Sequence, residues 1–219
     1  MNEERVAIFI DGSNLYHALA NNFGRHDLNF AVFATKLAGE RHLFRTYYYN
    51  VQQDPNFRPD VYREQQEFLV ALRKMPYLEL RLGTIKLAQG ISIEKGVDVM
   101  ITTDLLYFAW HNVYDTAILV SGDGDFAYAI QAVKNMGKHV EVAYFEGGIS
   151  KDLLEIADNR YLLNRSFFGG LWVGHHRQSP GQKKQRTSKQ SAQAGQTSQP
   201  MQIQVQPQSP SSGAPNIFN

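Results

Sequence analysis

Cysteine is absent from this chain of 219 residues. That absence excludes disulfides, thiolate metal sites and cysteine nucleophiles together. Long apolar runs are also missing. None approaches the roughly 18 residues that would span a bilayer. The opening MNEERVAIFI sets acidic residues before a short apolar run, which is not the pattern of a signal peptide. The expected setting is a bacterial-type cytoplasm, or one equally reducing, with no membrane partner. An excess of one charge is lacking too: 22 Lys/Arg stand against 21 Asp/Glu, for a net charge of +1. Overall charge therefore does not by itself point to nucleic acid.

The near-neutral sum hides an asymmetry. Residues 1–174 hold 17 Lys/Arg and all 21 Asp/Glu, whereas residues 175–219 hold five Lys/Arg and no acid. From about His175 the chain is mostly Gln, Ser, Pro, Gly and Ala, with Lys183, Lys184, Arg186 and Lys189 among its charges. Such a segment buries too little apolar surface to offset its chain entropy, so it is expected to be disordered. It reads either as an inert solvated arm or as a weak electrostatic attractor of RNA phosphates. The expected division is a folded domain over 1–168 and a basic Gln/Ser/Pro-rich tail over 169–219.

Within the folded part, strand and helix patterns alternate. Val6–Ile10 is a continuous apolar run ending in Asp-Gly, as expected of a buried parallel strand. Helical patterns follow over Ser13–Phe23 and Phe30–Leu37, then an aromatic strand over Phe44–Val51 and a helix over Tyr62–Lys74. A strand over Tyr77–Ile85, a long helix over Val97–His111 and a strand over Thr116–Val120 come next. The last elements are a helix over Phe126–Asn135, a strand over Val140–Phe145, a short helix over Lys151–Ala157 and a strand over Tyr161–Leu163. This alternation predicts an α/β fold with a mainly parallel sheet and helices on both faces.

Open α/β sheets bind ligands beyond the carboxyl ends of their strands, near the point where strand order reverses. Aspartates stand at two such ends. Asp11 closes the first strand in Ile10-Asp11-Gly12-Ser13-Asn14, and Asp123 and Asp125 follow the strand 116–120 in Ser121-Gly122-Asp123-Gly124-Asp125. Asp98 opens a helix after Lys95-Gly96-Val97. Hard divalent cations take oxygen ligands, and Mg²⁺ typically uses one or two carboxylates with water and phosphate oxygens. Converging carboxylates also repel one another unless a cation or protons neutralise them.

Each aspartate has a plainer reading as well. Asp11 suits a strand-end turn. Asp125 suits the N-cap of helix 126–135, and Asp98 suits a helix N-terminus for its dipole alone. Asp123 has no such capping role in the sequence pattern and reads as a ligand. Asp104, six residues after Asp98, points elsewhere on the helix and reads as an outer supporting residue or surface. Asn14 and Ser121 read as holding water or phosphate, or as tying down their own turns. The histidines are scattered and form no metal pattern. Tyr47–Tyr49 read as core in preference to a stacking platform for bases.

Taken together, Ile8-Phe9-Ile10-Asp11-Gly12-Ser13-Asn14-Leu15-Tyr16, Lys95-Gly96-Val97-Asp98-Val99 with Thr103-Asp104-Leu105-Leu106, and Leu119-Val120-Ser121-Gly122-Asp123-Gly124-Asp125-Phe126 resemble the NYN domain in its LabA-like branch, among the PIN-like nucleases. The resemblance covers about residues 4–165. It implies a PIN-like three-layer α/β/α sandwich and a Mg²⁺- or Mn²⁺-dependent ribonuclease acting on RNA. By motif, Asp11, Asp98 and Asp123 match the acidic, metal-binding positions, with Asp125 and Asn14 completing the catalytic set. Ser121 matches a supporting, substrate-facing position, Asp104 an outer one, and Lys95 a phosphate-facing one. The glutamate that PIN nucleases often add from an early helix has no counterpart here, since Glu40 sits at a turn.

Two rivals bear on the same motifs. A haloacid-dehalogenase-type phosphatase needs a second aspartate two residues after its nucleophile; Ser13 stands there and argues against it. A non-catalytic RNA-binding or regulatory protein on the same fold is the other alternative. The sequence allows a homo-oligomer without specifying one.

Overall fold

The computed structural model describes residues 3–88 and 91–174, with the side chains of 86–95 left aside. The expected tail beyond residue 174 lies outside the described residues. The elements run β1 (Arg5–Asp11), α1 (Gly12–Phe23), α2 (Phe30–Ala38), β2 (His42–Gln52), α3 (Pro59–Arg73), β3 (Leu78–Ala88) and β4 (Ile91–Lys95). They continue with α4 (Val97–Trp110), β5 (Thr116–Val120), a 3₁₀ turn (Gly124–Phe126), α5 (Ala127–Asn135), β6 (His139–Tyr144), α6 (Lys151–Ile156) and β7 (Asn159–Leu162).

These strands form one seven-stranded sheet in the order β4-β3-β2-β1-β5-β6-β7. Every neighbouring pair is parallel except β3 and β4. Strand β4 is an addition to the sequence-based expectation. Its alternation, Ile91-Ser92-Ile93-Glu94, is only one short edge strand long and gains its ladder solely from β3.

Strand β1 is apolar on both faces because both are covered. Val6, Ile8 and Ile10 join Leu15, Leu19, Phe30, Phe33 and Leu37 in one core layer. Ala7 and Phe9 join Ile101, Leu105, Ile130 and Val133 in the other. Helices α1 and α2 thus cover one face and α4 and α5 the other, giving the expected α/β/α sandwich. Tyr47, Tyr48 and Tyr49 are all buried, as the core reading requires.

The folded body runs past the expected boundary at residue 168. Leu171 is buried and its carbonyl accepts from Asn29 N at 2.7 Å. Val173 N donates to Asp27 O at 2.9 Å, and the Arg25 guanidinium lies 4.4 Å above the Trp172 ring. Leu171 joins the first core layer and Trp172 packs against it, adding apolar burial to these contacts.

A carboxylate cleft at the sheet switch point

From β1 the chain passes to β2 on one side, whereas β5 lies on the other. The ends of β1 and β5 therefore form the switch point. Ile10 pairs with Val120, so the next residues, Asp11 and Ser121, emerge side by side. Asp11 is 6 % exposed and caps α1, accepting from Asn14 N at 3.0 Å. Ser121, itself buried, donates its hydroxyl to Asp11 Oδ2 at 3.2 Å. The same hydroxyl oxygen accepts from Asp123 N at 3.2 Å.

Two glycines permit these turns to close. A Cβ on Gly12 would stand 2.5 Å from the Tyr49 carbonyl oxygen and 2.6 Å from Tyr48 Cζ. A Cβ on Gly122 would overlap the Gly148 carbonyl, where the chain after β6 crosses over the turn. Ser150 N ties that crossing down by donating to Gly122 O at 2.9 Å.

Asp123 is half-buried and its carboxylate accepts from Asp125 N at 3.0 Å, which makes it the N-cap of the 3₁₀ turn. This corrects the sequence reading, which placed the cap at Asp125. The 3₁₀ turn starts the helix two residues before the expected Phe126 and shifts the cap with it, from Asp125 to Asp123. Asp98 sits in the first turn of α4, behind Gly96, whose φ of 89° turns the chain into the helix. Asp11, Asp98 and Asp123 line one cleft of about 320 Å³, together with Ser13, Asn14 and His17.

Burial raises the pKa of Asp11, and the negative charges of Asp98 and Asp123 add to that. The bonds from Asn14 N and Ser121 pull in the opposite direction. Three carboxylates thus share one electrostatic environment.

The remaining expected site residues fall elsewhere. Asp125 is exposed and does not line the cleft. Ser121 is buried, does not line the cleft, and orients the Asp11 carboxylate through its hydroxyl. Asp104 lies about 9 Å along α4 from Asp98. It accepts from Tyr49 Oη at 2.8 Å and Arg81 Nε at 3.3 Å, a pairing toward β2 and β3 and away from the cleft. The Lys95 side chain lies outside the described residues. Conversely, His17 stands outside the sequence motifs, yet it lines the cleft. The signal that could have found it is spacing: Ser13 and His17 stand one helical turn apart on α1.

The cleft suits a hard cation in kind. Its side-chain oxygens come from carboxylates, an amide and a hydroxyl, with the His17 imidazole beside them. Among the described residues, however, no three His, Asp or Glu side chains form a ready-made metal cage. An ion there would be completed by water or phosphate oxygens, which is how Mg²⁺ is usually held.

Comparison with known proteins agrees with this architecture. The family model of the NYN domain matches residues 5–164. The chain belongs to the NYN domain family. Among relatives of this NYN domain is the low amplitude and bright protein LabA of Synechococcus elongatus. It is 31 % identical over 175 residues, spanning 74 % of this chain and 87 % of LabA. An uncharacterized protein, y4oD, of Sinorhizobium fredii is 36 % identical over 72 residues, about a third of each chain. A crystal structure of a protein of unknown function from Vibrio parahaemolyticus superimposes with a TM-score of 0.62 at 26 % identity, covering 75 % of this chain and 96 % of that one. The NYN match includes β1, α4 and β5, and hence all three cleft aspartates. Among the described residues, no helix of this NYN domain is long and apolar enough to cross a membrane.

Proposed function

We propose that this NYN domain is a divalent-metal-dependent ribonuclease that hydrolyses RNA phosphodiester bonds. The observation that carries this reading is the joint lining of one switch-point cleft by Asp11, Asp98 and Asp123. Asp11, Asp98 and Asp123 would hold Mg²⁺ or Mn²⁺, which when bound supplies positive charge at the phosphate and a water activated near neutral pH.

The chain's own residues prepare that site. Ser121 and Asn14 N hold the Asp11 carboxylate in one orientation. Asp125 N holds the Asp123 carboxylate. Asn14 lines the same cleft, and its side-chain amide is of the kind that orients a water or a phosphate oxygen. The N-termini of α1 and α4 both open at it, where peptide dipoles favour a phosphate. No covalent nucleophile is invoked: Ser121 is buried and already donates to Asp11.

The test is a cleavage time course of the full chain on labelled structured and unstructured RNAs, with Mg²⁺, Mn²⁺ or EDTA. Cleavage should require the metal and stop in EDTA. EDTA-resistant cleavage would overturn the mechanism. RNA binding without cleavage under any metal would leave a non-catalytic RNA-binding protein on the same fold.

A further inference from the structure

A second, larger cavity adjoins the carboxylate cleft. It has a volume of about 610 Å³ and lies between α1, α3 and the ends of β2 and β3. That size falls in the usual range for small-ligand sites, about 300–1,000 Å³. Ser13 and His17 line both the cavity and the cleft, so a single turn of α1 is their common wall.

The lining differs in kind from that of the cleft. Tyr16 and His26 stack in parallel with ring centroids 3.9 Å apart, and Tyr16 remains 51 % exposed. His26 stacks on the Tyr16 ring and His17 meets it edge-on at 5.7 Å, yet half of Tyr16 stays exposed as an aromatic surface. Burial, then the neighbouring His17, lowers the His26 pKa, so this imidazole is neutral at pH 7 and stacks as an uncharged ring. Phe57, 46 % exposed, stands on the α3 side with the Arg58 guanidinium 5.6 Å from its ring centroid. Large exposed aromatics around a concave surface are a costly arrangement for packing alone and an ordinary one for binding flat rings.

We infer that this cavity seats one unpaired nucleoside of an RNA strand, next to the phosphate held at the carboxylate cleft, with Tyr16 and Phe57 as its stacking surfaces. The inference rests on the reading of the cleft as a phosphodiester site, because the shared wall of Ser13 and His17 sets the two ligand positions side by side. An unpaired base offers the flat face that such a wall binds, whereas a base inside a duplex is already stacked on its neighbours. The cavity thus favours single-stranded over double-stranded RNA.

The experiment measures affinity of the full chain for a short labelled RNA strand, for its duplex, for the same strand carrying abasic positions, and for a nucleoside monophosphate. A strand with 4-thiouridine, cross-linked and mapped by mass spectrometry, locates the base. Tyr16→Ala and Phe57→Ala should each weaken strand binding on the order of tenfold, the loss expected for one base stack. Both should leave the weaker abasic strand unchanged, and Tyr16→Phe should restore binding. Thermal melting checks that each variant is folded. Wild-type affinity in folded Tyr16→Ala and Phe57→Ala, equal binding of duplex and strand, or cross-links away from α1 and α3 would overturn the inference. A monophosphate that binds as tightly as the strand would overturn its assignment to RNA. Strand binding that depends on Tyr16 and Phe57, without cleavage under any metal, would keep the nucleoside site and reject the ribonuclease.

Discussion

The hydroxyl of Ser121 bridges Asp11 and the backbone of Asp123, at 3.2 Å on each side. One buried oxygen therefore links the end of β1 to the turn after β5. Of the two roles the sequence leaves open for Ser121, these bonds match the one of tying down its own turn, and they also support the Asp11 carboxylate.

Ser121→Ala removes that link. A buried hydrogen-bonded group typically contributes about 1 kcal/mol, and a lost partner of a ligand side chain typically lowers metal affinity about 10- to 100-fold. We expect a small fall in stability and a larger fall in Mn²⁺ affinity. Isothermal titration with Mn²⁺ beside urea unfolding separates the two. Unchanged Mn²⁺ affinity would mean that Asp11 needs no support from Ser121.

Asp11→Asn tests the electrostatic strain in the cleft. The folded-state pKa of Asp11 is raised, first by burial. Folding therefore favours the protonated form. That preference is fully present below the ordinary carboxylate value, and it is lost as pH rises through the raised one. At neutral pH the ionised carboxylate thus opposes folding. The metal-free Asn variant should be more stable there, by on the order of 1 kcal/mol. At about pH 3, where Asp11 is mostly protonated in both states, the difference should shrink. Thermal melts of both proteins across this range check the sign; a gain that persists undiminished at acid pH contradicts it.

Asp123→Asn and Asp125→Asn should separate sharply in activity. Asparagine caps as well as aspartate, so the bond from Asp125 N survives in Asp123→Asn while a cleft charge is lost. Cleavage by Asp123→Asn should fall at least about 100-fold, in keeping with the electrostatic share of such sites. Asp125 is exposed and outside the cleft, so its variant should stay within about twofold of wild type, as surface substitutions usually do. Equal losses in the two variants would return Asp125 to the site.

Gly122→Ala should be the most damaging small substitution. Its methyl group would overlap the Gly148 carbonyl, and the atoms it meets in Gly148 and Ile149 are all backbone. Overpacking of this kind typically costs about 1–3 kcal/mol, and here it also displaces the turn that carries Asp123. Urea unfolding should show the loss, with Gly124→Ala milder because its neighbour is the Ser150 side chain.

Much of this protein was legible in its sequence because the signals were local and periodic. The continuous runs Val6–Ile10 and Thr116–Val120 announced buried parallel strands, and the interleaved helical patterns announced two covering layers. The aspartates at both strand ends followed from the same reading, since a strand's last residue is also where such folds open to ligands. Composition alone separated the basic tail from the acidic body. What only the tertiary structure decided were relations between distant segments. The overlap between Gly122 and Gly148, and the burial of Ser121 against Asp11, have no trace in either motif taken alone. The sequence places Asp104 outside the ligand set, but only the fold shows that Tyr49 and Arg81, from two other strands, are what it pairs with. His17 joined the site because α1 starts at Gly12, directly after its cap Asp11, and brings its second turn to the cleft. A strand end is fixed by nearest-neighbour sterics and burial, whereas the partner of a side chain depends on which strands lie side by side, and that is set by packing of the whole sheet.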